Sequence, residues 1–355
     1  MSPPVDAMQE NTTNRHTPAR ATIRDVAHRA GVSIKTVSRV INHEANVRPV
    51  TRERVMEAVR ELQYEPNPAA RGLAGRRTFS IGLLYENPHE FSYIQQILDG
   101  VFDVCQAHGY ALLLRPSSEN PATEDIVRFL TQTRVDGMVL TAPIGDRPDI
   151  TDALTERDVP FVQISPGITD TRWTSVGPDD FAGSRTLTEH LLDLGHTRIG
   201  FIQGDPRHGA ASARLDGHLQ CLREHGMTVD ESLIVPGLFD FESGKAAAHG
   251  LLALTDRPTA IVASNDDMAA GVIVAAQEAG IALPAELSVA GFDDSPTALH
   301  TWPPLTTVRQ PIVEIASQAA ELLLEWIRGE RSVHVRKTFD CRLVVRRSTS
   351  APGVA

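Results

Sequence analysis

Cysteine is nearly absent: the chain has three in 355 residues, at positions 105, 221 and 341. An odd number at such wide spacing argues against a disulfide framework or a cysteine-based zinc site, and each thiol reads as a small core hydrophobe. No apolar run approaches the length that spans a bilayer. The first twenty residues are polar, with Pro, Asn and Thr, and lack the hydrophobic segment of a secretory signal. The expectation is a cytoplasmic protein with a disordered tail over residues 1–21. Enzyme signatures are missing as well. The 13 histidines form no H-E-x-x-H pair, and Gly200-Phe-Ile-Gln-Gly204 lacks G-x-G-x-x-G spacing. Ser175, Ser184 and Ser212 have no nucleophile-elbow context. No catalytic centre, metal or cofactor is expected.

What the chain does have is a compact helical pattern near its start. Ile23, Val26, Ala27 and Ala30 share one helical face behind Thr22, a candidate N-cap. Gly31 can end that helix in a left-handed conformation, and Val32 can fill the corner. Ser33 is a second N-cap candidate, with Val37, Val40 and Ile41 on the buried face of the next helix. Ile34, Lys35 and Arg39 then point outward, as the side chains of a recognition helix must. A third helix follows from Val55, Ala58, Val59 and Leu62, with Thr51 as its expected cap. Three small apolar faces can close a core that two could not. This is the arrangement of a helix-turn-helix DNA reader.

Charge supports it. Residues 1–77 carry 13 basic and 8 acidic side chains, a net +5, whereas the rest carries 21 and 37, a net −16. A basic head on an acidic body is the asymmetry expected when only one end meets phosphate. Between them runs Glu65-Pro-Asn-Pro-Ala-Ala-Arg-Gly-Leu-Ala-Gly-Arg-Arg77. Its composition permits a plain linker, or a short helix capped by Asn67, begun by Pro68 and left marginal by Gly72 and Gly75.

From Ser80 onward apolar strands alternate with amphipathic helices. Strand candidates lie at residues 81–85, 111–114, 137–140, 161–164, 198–202, 260–263 and 287–292. That alternation predicts an α/β body with parallel sheets. A break at Gly177-Pro-Asp-Asp180 divides it into two lobes, with a small-ligand cleft expected between them.

Several ordered motifs resemble the LacI/GalR (lactose-repressor) family of transcription regulators. The resemblance runs from residue 22 to 349. It is most specific over residues 22–42, Thr51-Arg-Glu-Arg-Val55 and Tyr64-Glu-Pro-Asn67. In the body it rests on Leu194-Gly-His-Thr-Arg-Ile199, Ser212-Ala-Arg-Leu-Asp-Gly217, Ser264-Asn-Asp-Asp267, Val289-Ala-Gly-Phe-Asp-Asp294 and Pro304-Leu-Thr-Thr-Val308. It implies a helix-turn-helix head (residues 22–66), a hinge (67–77), a two-lobed body like periplasmic sugar-binding proteins (78–349) and a tail (350–355). It also implies a homodimer on a near-palindromic DNA operator.

Carried over by position, Ile34, Lys35 and Arg39 fall on base-reading sites. Thr22, Ser33, Thr36, Ser38, Asn42 and Asn67 serve caps and phosphate contacts, and Leu73 falls on the leucine wedged into the minor groove. The same resemblance assigns Arg214, Asp293, Asn265, Gln310 and Phe239 to the effector, with Tyr93 facing them from the other lobe. It departs at Ser165-Pro166, where the family often has an acidic residue. The function implied is repression controlled by a small ligand, most often a sugar. The alternatives are a purine or another metabolite, or a solute-binding protein in place of a regulator.

Overall fold

The computed structural model describes residues 21–41, 47–64, 77–86, 91–118, 121–167 and 172–353. The expected disordered tail (all but Ala21), Asn42, Asn67 and Leu73 lie outside the described residues. The chain divides between Arg76 and Arg77 into two units, each with its own core.

The first unit is three helices: α1 (Ile23–Ala30), α2 (Ile34–Ile41) and α3 (Pro49–Glu61). Thr22 and Asp25 form a reciprocal capping box at the start of α1. Gly31 closes that helix with φ of 62°, a conformation any Cβ would strain. Val26, Val37, Val40 and Val55 are fully buried, and each such side chain contributes about 1.5–3 kcal/mol. Thr51 is not the cap of α3. The helix begins earlier, with Arg48 at the cap position and Pro49 in the first turn, where its fixed φ fits and its missing N–H is not needed.

The second unit alternates strand and helix as expected. In chain order it runs β1 (Ser80–Glu86), α4 (Phe91–His108), β2 (Ala111–Ser117), α5 (Thr123–Thr133), β3 (Gly137–Thr141), α6 (Pro148–Thr155), β4 (Phe161–Ile164) and β5 (Thr174–Pro178). Next come α7 (Asp180–Asp193), β6 (Ile199–Ile202), α8 (Gly209–Glu224), β7 (Ile234–Val235), α9 (Phe241–Leu252), β8 (Ala260–Ala263), α10 (Asp266–Glu278), β9 (Ser288–Ala290) and α11 (Pro296–His300). It ends with β10 (Thr307–Arg309), α12 (Ile312–Arg328), β11 (Arg336–Phe339) and β12 (Arg342–Val344).

These strands build two all-parallel sheets, in the orders β11-β5-β4-β3-β1-β2 and β7-β6-β8-β9. Both faces of each sheet are covered, so successive strand residues enter different cores. Leu83 packs with α4 and α12 and Leu84 with α5 and α6; Phe201 and Ile202 divide in the same way. The first lobe is thus completed by residues from far along the chain, since α12 packs on α4 and β11 pairs with β5. The backbone consequently passes between the lobes three times, after β5, between β10 and α12, and between β11 and β12. These passages lie side by side: Asp179 N donates to Phe339 O, and β10 pairs with β12.

The chain end, expected as a tail from residue 350, is held at its first residue. Ser350 N donates to Ser288 Oγ, and its carbonyl accepts hydrogen bonds from that side chain and from buried His196.

Candidate functional site

In the helical unit, α2 presents the expected face outward. Ile34 is 46% exposed, unusual for so apolar a side chain, and Lys35 and Arg39 are exposed beside it. Ser33 accepts from Thr36 N at 3.1 Å, and the two hydroxyls meet at 2.9 Å. Both therefore fix the start of the helix, while Ser38 is half-buried. Arg29 ties α1 to Glu61 of α3 at 2.6 Å, which holds the pair that supports α2.

In the larger unit a cavity of about 720 Å³ opens between the lobes, within the range of small-molecule sites. It lies beyond the carboxyl ends of both sheets' strands, where open α/β folds bind ligands. Glu86, Thr141 and Ser165 follow from β1, β3 and β4, and Asp205, Phe239, Asn265, Asp293 and Gln310 from β6, β7, β8, β9 and β10. All six residues that the resemblance carried over line this cavity, although 217 positions separate Tyr93 from Gln310.

Their hydrogen bonds show what each can do. Arg214, 5% exposed, lays Nε and Nη2 on Asp180 Oδ1 at 2.8 Å and donates through Nη1 to the Ser264 carbonyl. Its guanidinium carbon stands 3.9 Å over the Phe292 ring, and Nη1 lies 3.7 Å from Asp293 Oδ1. Burial opposes its charge, but Asp180 and Asp293 more than compensate and hold it protonated. Gln310 Nε2 donates to Asp293 Oδ1. Asn265 is engaged differently: its Oδ1 accepts from Met268 N at 2.9 Å and its Nδ2 donates to Phe239 O at 2.7 Å. It caps α10 and fixes the Phe239 loop. Phe239 packs so closely over Gly204 that a Cβ there would lie 1.9 Å from the ring.

Three cavity residues, Ser165, Phe239 and Asp293, have positive φ values of 51°, 64° and 113°. Such conformations cost about 1–3 kcal/mol each in non-glycine residues and cluster at functional sites. Where the family's acidic residue was missing, Ser165 instead shares a hydrogen bond with Tyr93 across 3.3 Å. Burial raises the Asp293 pKa to about 7 against the pull of Arg214 and Gln310. Behind it Asp266 is raised by burial and by Asp293, although Thr307 and Ser295 donate to its oxygens. Burial lowers His208 to about 4, so it stands in the wall as a neutral ring.

Sequence reasoning missed Asp180, the main partner of Arg214, although it sits in the break that marked the lobe boundary. It missed Glu86 and Arg207, which join across the cleft with Nη1 to Oε1 at 2.9 Å, and Asp205, which orients that arginine from its own lobe. It missed Thr141, 2% exposed, whose hydroxyl has no hydrogen-bond partner among the described residues. One signal could have found Glu86, Thr141 and Asp205: each lies at or just beyond the end of a strand. Among the described residues no group of His, Cys, Asp or Glu is arranged to hold a metal, and no helix is long and apolar enough to cross a membrane.

Residues 22–67 match the bacterial regulatory proteins of the lacI family, and residues 188–349 match a periplasmic binding protein-like domain. The HTH-type transcriptional repressor PurR of Photobacterium profundum is 35% identical over 335 residues, covering 92% of this chain and 98% of the relative. A solved transcriptional regulator CelR–cellobiose complex is 34% identical with a TM-score of 0.72, covering 93% of this chain and 100% of that one. The lac repressor dimer bound to operator and the anti-inducer ONPF is 29% identical with a TM-score of 0.77, covering 93% and 99%. A lacI-type head and a cleft-bearing body in one chain, with relatives matched over nearly their whole length, make this protein a member of the lacI family, a ligand-responsive DNA-binding repressor.

Proposed function

We propose that the effector is a sugar, bound between the lobes, and that it sets the affinity of a homodimer for a near-palindromic operator in the cytoplasm. The observation that carries the sugar reading is the convergence of Asp293, Gln310, Arg214 and the unsatisfied Thr141 hydroxyl on one cavity. A ring of hydroxyls can donate to the carboxylate and pair with Thr141, removing the penalty of a buried polar atom without a partner. The solved relative that holds cellobiose is consistent with this.

A purine is the second reading, favoured by Phe239, a buried ring set edge-on to His208 at 5.5 Å between centroids. Dimerisation is supported by Leu299 and Trp302, 62% and 72% exposed, which leave apolar area that a second copy would cover. In this reading Arg39 and Lys35 meet base edges, while Thr22 and Ser33 meet phosphates.

The test is a thermal-shift screen of the full chain with glucose, cellobiose, adenine and hypoxanthine, followed by operator titration with any stabilising compound. Stabilisation by a purine and not by either sugar would replace the first reading with the second. A stabilising ligand without effect on operator affinity would overturn the regulatory role assigned to the cleft.

A further inference from the structure

The charge inventory of the cleft narrows its ligand further than its shape does. Five carboxyl groups line it, Glu86, Asp180, Asp205, Asp240 and Asp293, of which burial holds Asp293 partly protonated near pH 7. Against them stand only two cationic side chains among the described lining residues, Arg207 and Arg214, because burial keeps His208 neutral near pH 7. Both guanidinium groups are already turned onto protein acceptors. Arg214 holds Asp180 with two nitrogens and the Ser264 carbonyl with the third. Arg207 lays Nε and Nη2 on Asp205 and reaches Glu86 with Nη1. A phosphate or carboxylate entering here would meet an excess of like charge in a partly desolvated space, where repulsion is strong. It would also have to pull an arginine from a chelating carboxylate to find a donor.

Building on the sugar reading above, we infer that the cleft takes an effector without an anionic group, an uncharged or amine-bearing donor-rich compound, and rejects the phosphorylated form of the same ligand. Glu86 and Asp205 enforce the rejection by occupying Arg207. Their pairing spans the cleft, so the selectivity is built into the contact that joins the lobes. The same inventory excludes nucleotides while admitting a free base, and so it separates ligand classes whether the effector is a sugar or a purine.

The experiment is a thermal-shift titration of the full chain with glucose against glucose 6-phosphate, adenine against adenosine monophosphate, and inorganic phosphate as a bare anion, all at matched ionic strength. It is run on the wild type, on Glu86→Gln/Asp205→Asn, and on the same double variant with Arg207→Ala added. Glu86→Gln alone serves as the milder variant, and the body's own melting transition checks that each protein is folded. The expected result is no phosphate response in the wild type, and at least a tenfold gain in affinity for inorganic phosphate once Glu86 and Asp205 no longer hold Arg207. Removing Arg207 should abolish that gain. A wild type stabilised by glucose 6-phosphate or the nucleotide at least as well as by its uncharged partner overturns the inference while leaving the cleft as the effector site. A double variant that ignores phosphate overturns the role given to Glu86 and Asp205. A wild type that answers to neither glucose nor adenine, with phosphate affinity gained in the double variant, upholds the charge selection and counts only against those two ligands.

Discussion

The helical head and the two-lobed body solve opposite problems. In the head the side chains proposed to read DNA point away from the fold: Ile34, Lys35 and Arg39 stand exposed on α2 while Val37 and Val40 behind them are fully buried. One residue row makes the core and another is left to meet a partner, so in the proposed function the two tasks are separable. In the body they are merged. Arg214, Asp293 and Asn265 are buried, hydrogen-bonded within the protein, and still border the cavity. If the cavity is the effector site proposed above, a substitution there should alter stability and recognition together. Substitution on the outer face of α2 should alter recognition alone.

The strongest way to break this comparison is through the cores. Val37→Asp would bury a carboxylate in a three-helix core, at a cost of several kcal/mol that a domain of this size lacks. Operator binding should vanish while the body keeps its melting transition and its ligand response. Calorimetry that finds both transitions lost would mean the two units are not independent.

Next in size is Arg214→Lys. The charge survives, but the planar fork that grips Asp180 and the Ser264 carbonyl does not. The body should lose about 2–4 kcal/mol of stability and much of its ligand affinity, with the isolated head transition unmoved. A variant with normal stability and impaired ligand binding would show that the merging of tasks is overstated.

Arg39→Ala should cost about 1–3 kcal/mol in operator binding and flatten base preference at one position in each half-site. Thermal stability should stay within about 0.5 kcal/mol. Binding-site selection decides it, an unchanged preference removing Arg39 from the reading set.

A last effect concerns pH. Asp293 has a folded pKa of about 7, raised by burial above the usual unfolded value of about 3.9. Its carboxyl therefore contributes stability that is fully present below about pH 4 and is lost as pH rises through about 7. Asp293→Asn should flatten the decline of the body's Tm between pH 4 and 8. A slope identical to that of the wild type would assign the decline to another group.

The same contrast explains what was legible in the sequence. The head could be read because helical spacing, Thr22, Gly31 and Ser33 all act locally; only Thr51 misled, since Pro49 starts its helix earlier. In the body, the strands buried on both faces declared themselves as apolar runs. β5 did not, because Thr174-Ser-Val-Gly-Pro178 is half polar, and neither did β11, an edge strand of Arg, Lys and Thr suited to solvent. No periodicity marks the cleft, since its residues follow strand ends scattered along the chain. Arg214, Asp293 and Phe239 were singled out only by resemblance to a family, and Asp180, Glu86 and Arg207 not at all.

Three passages of backbone, lying side by side, join the lobes. A single tether would let two bodies swivel, tilt and slide; three neighbouring ones behave as the knuckles of a door hinge and leave chiefly one angle free. A compound that enters would then be translated into the same quantity, a more open or a more closed door. Agonist and antagonist need no separate routes through the molecule, only opposite preferences along that angle. Evolution can exchange one metabolite for another by redecorating the doorway, while the axis that carries the message stays as it was.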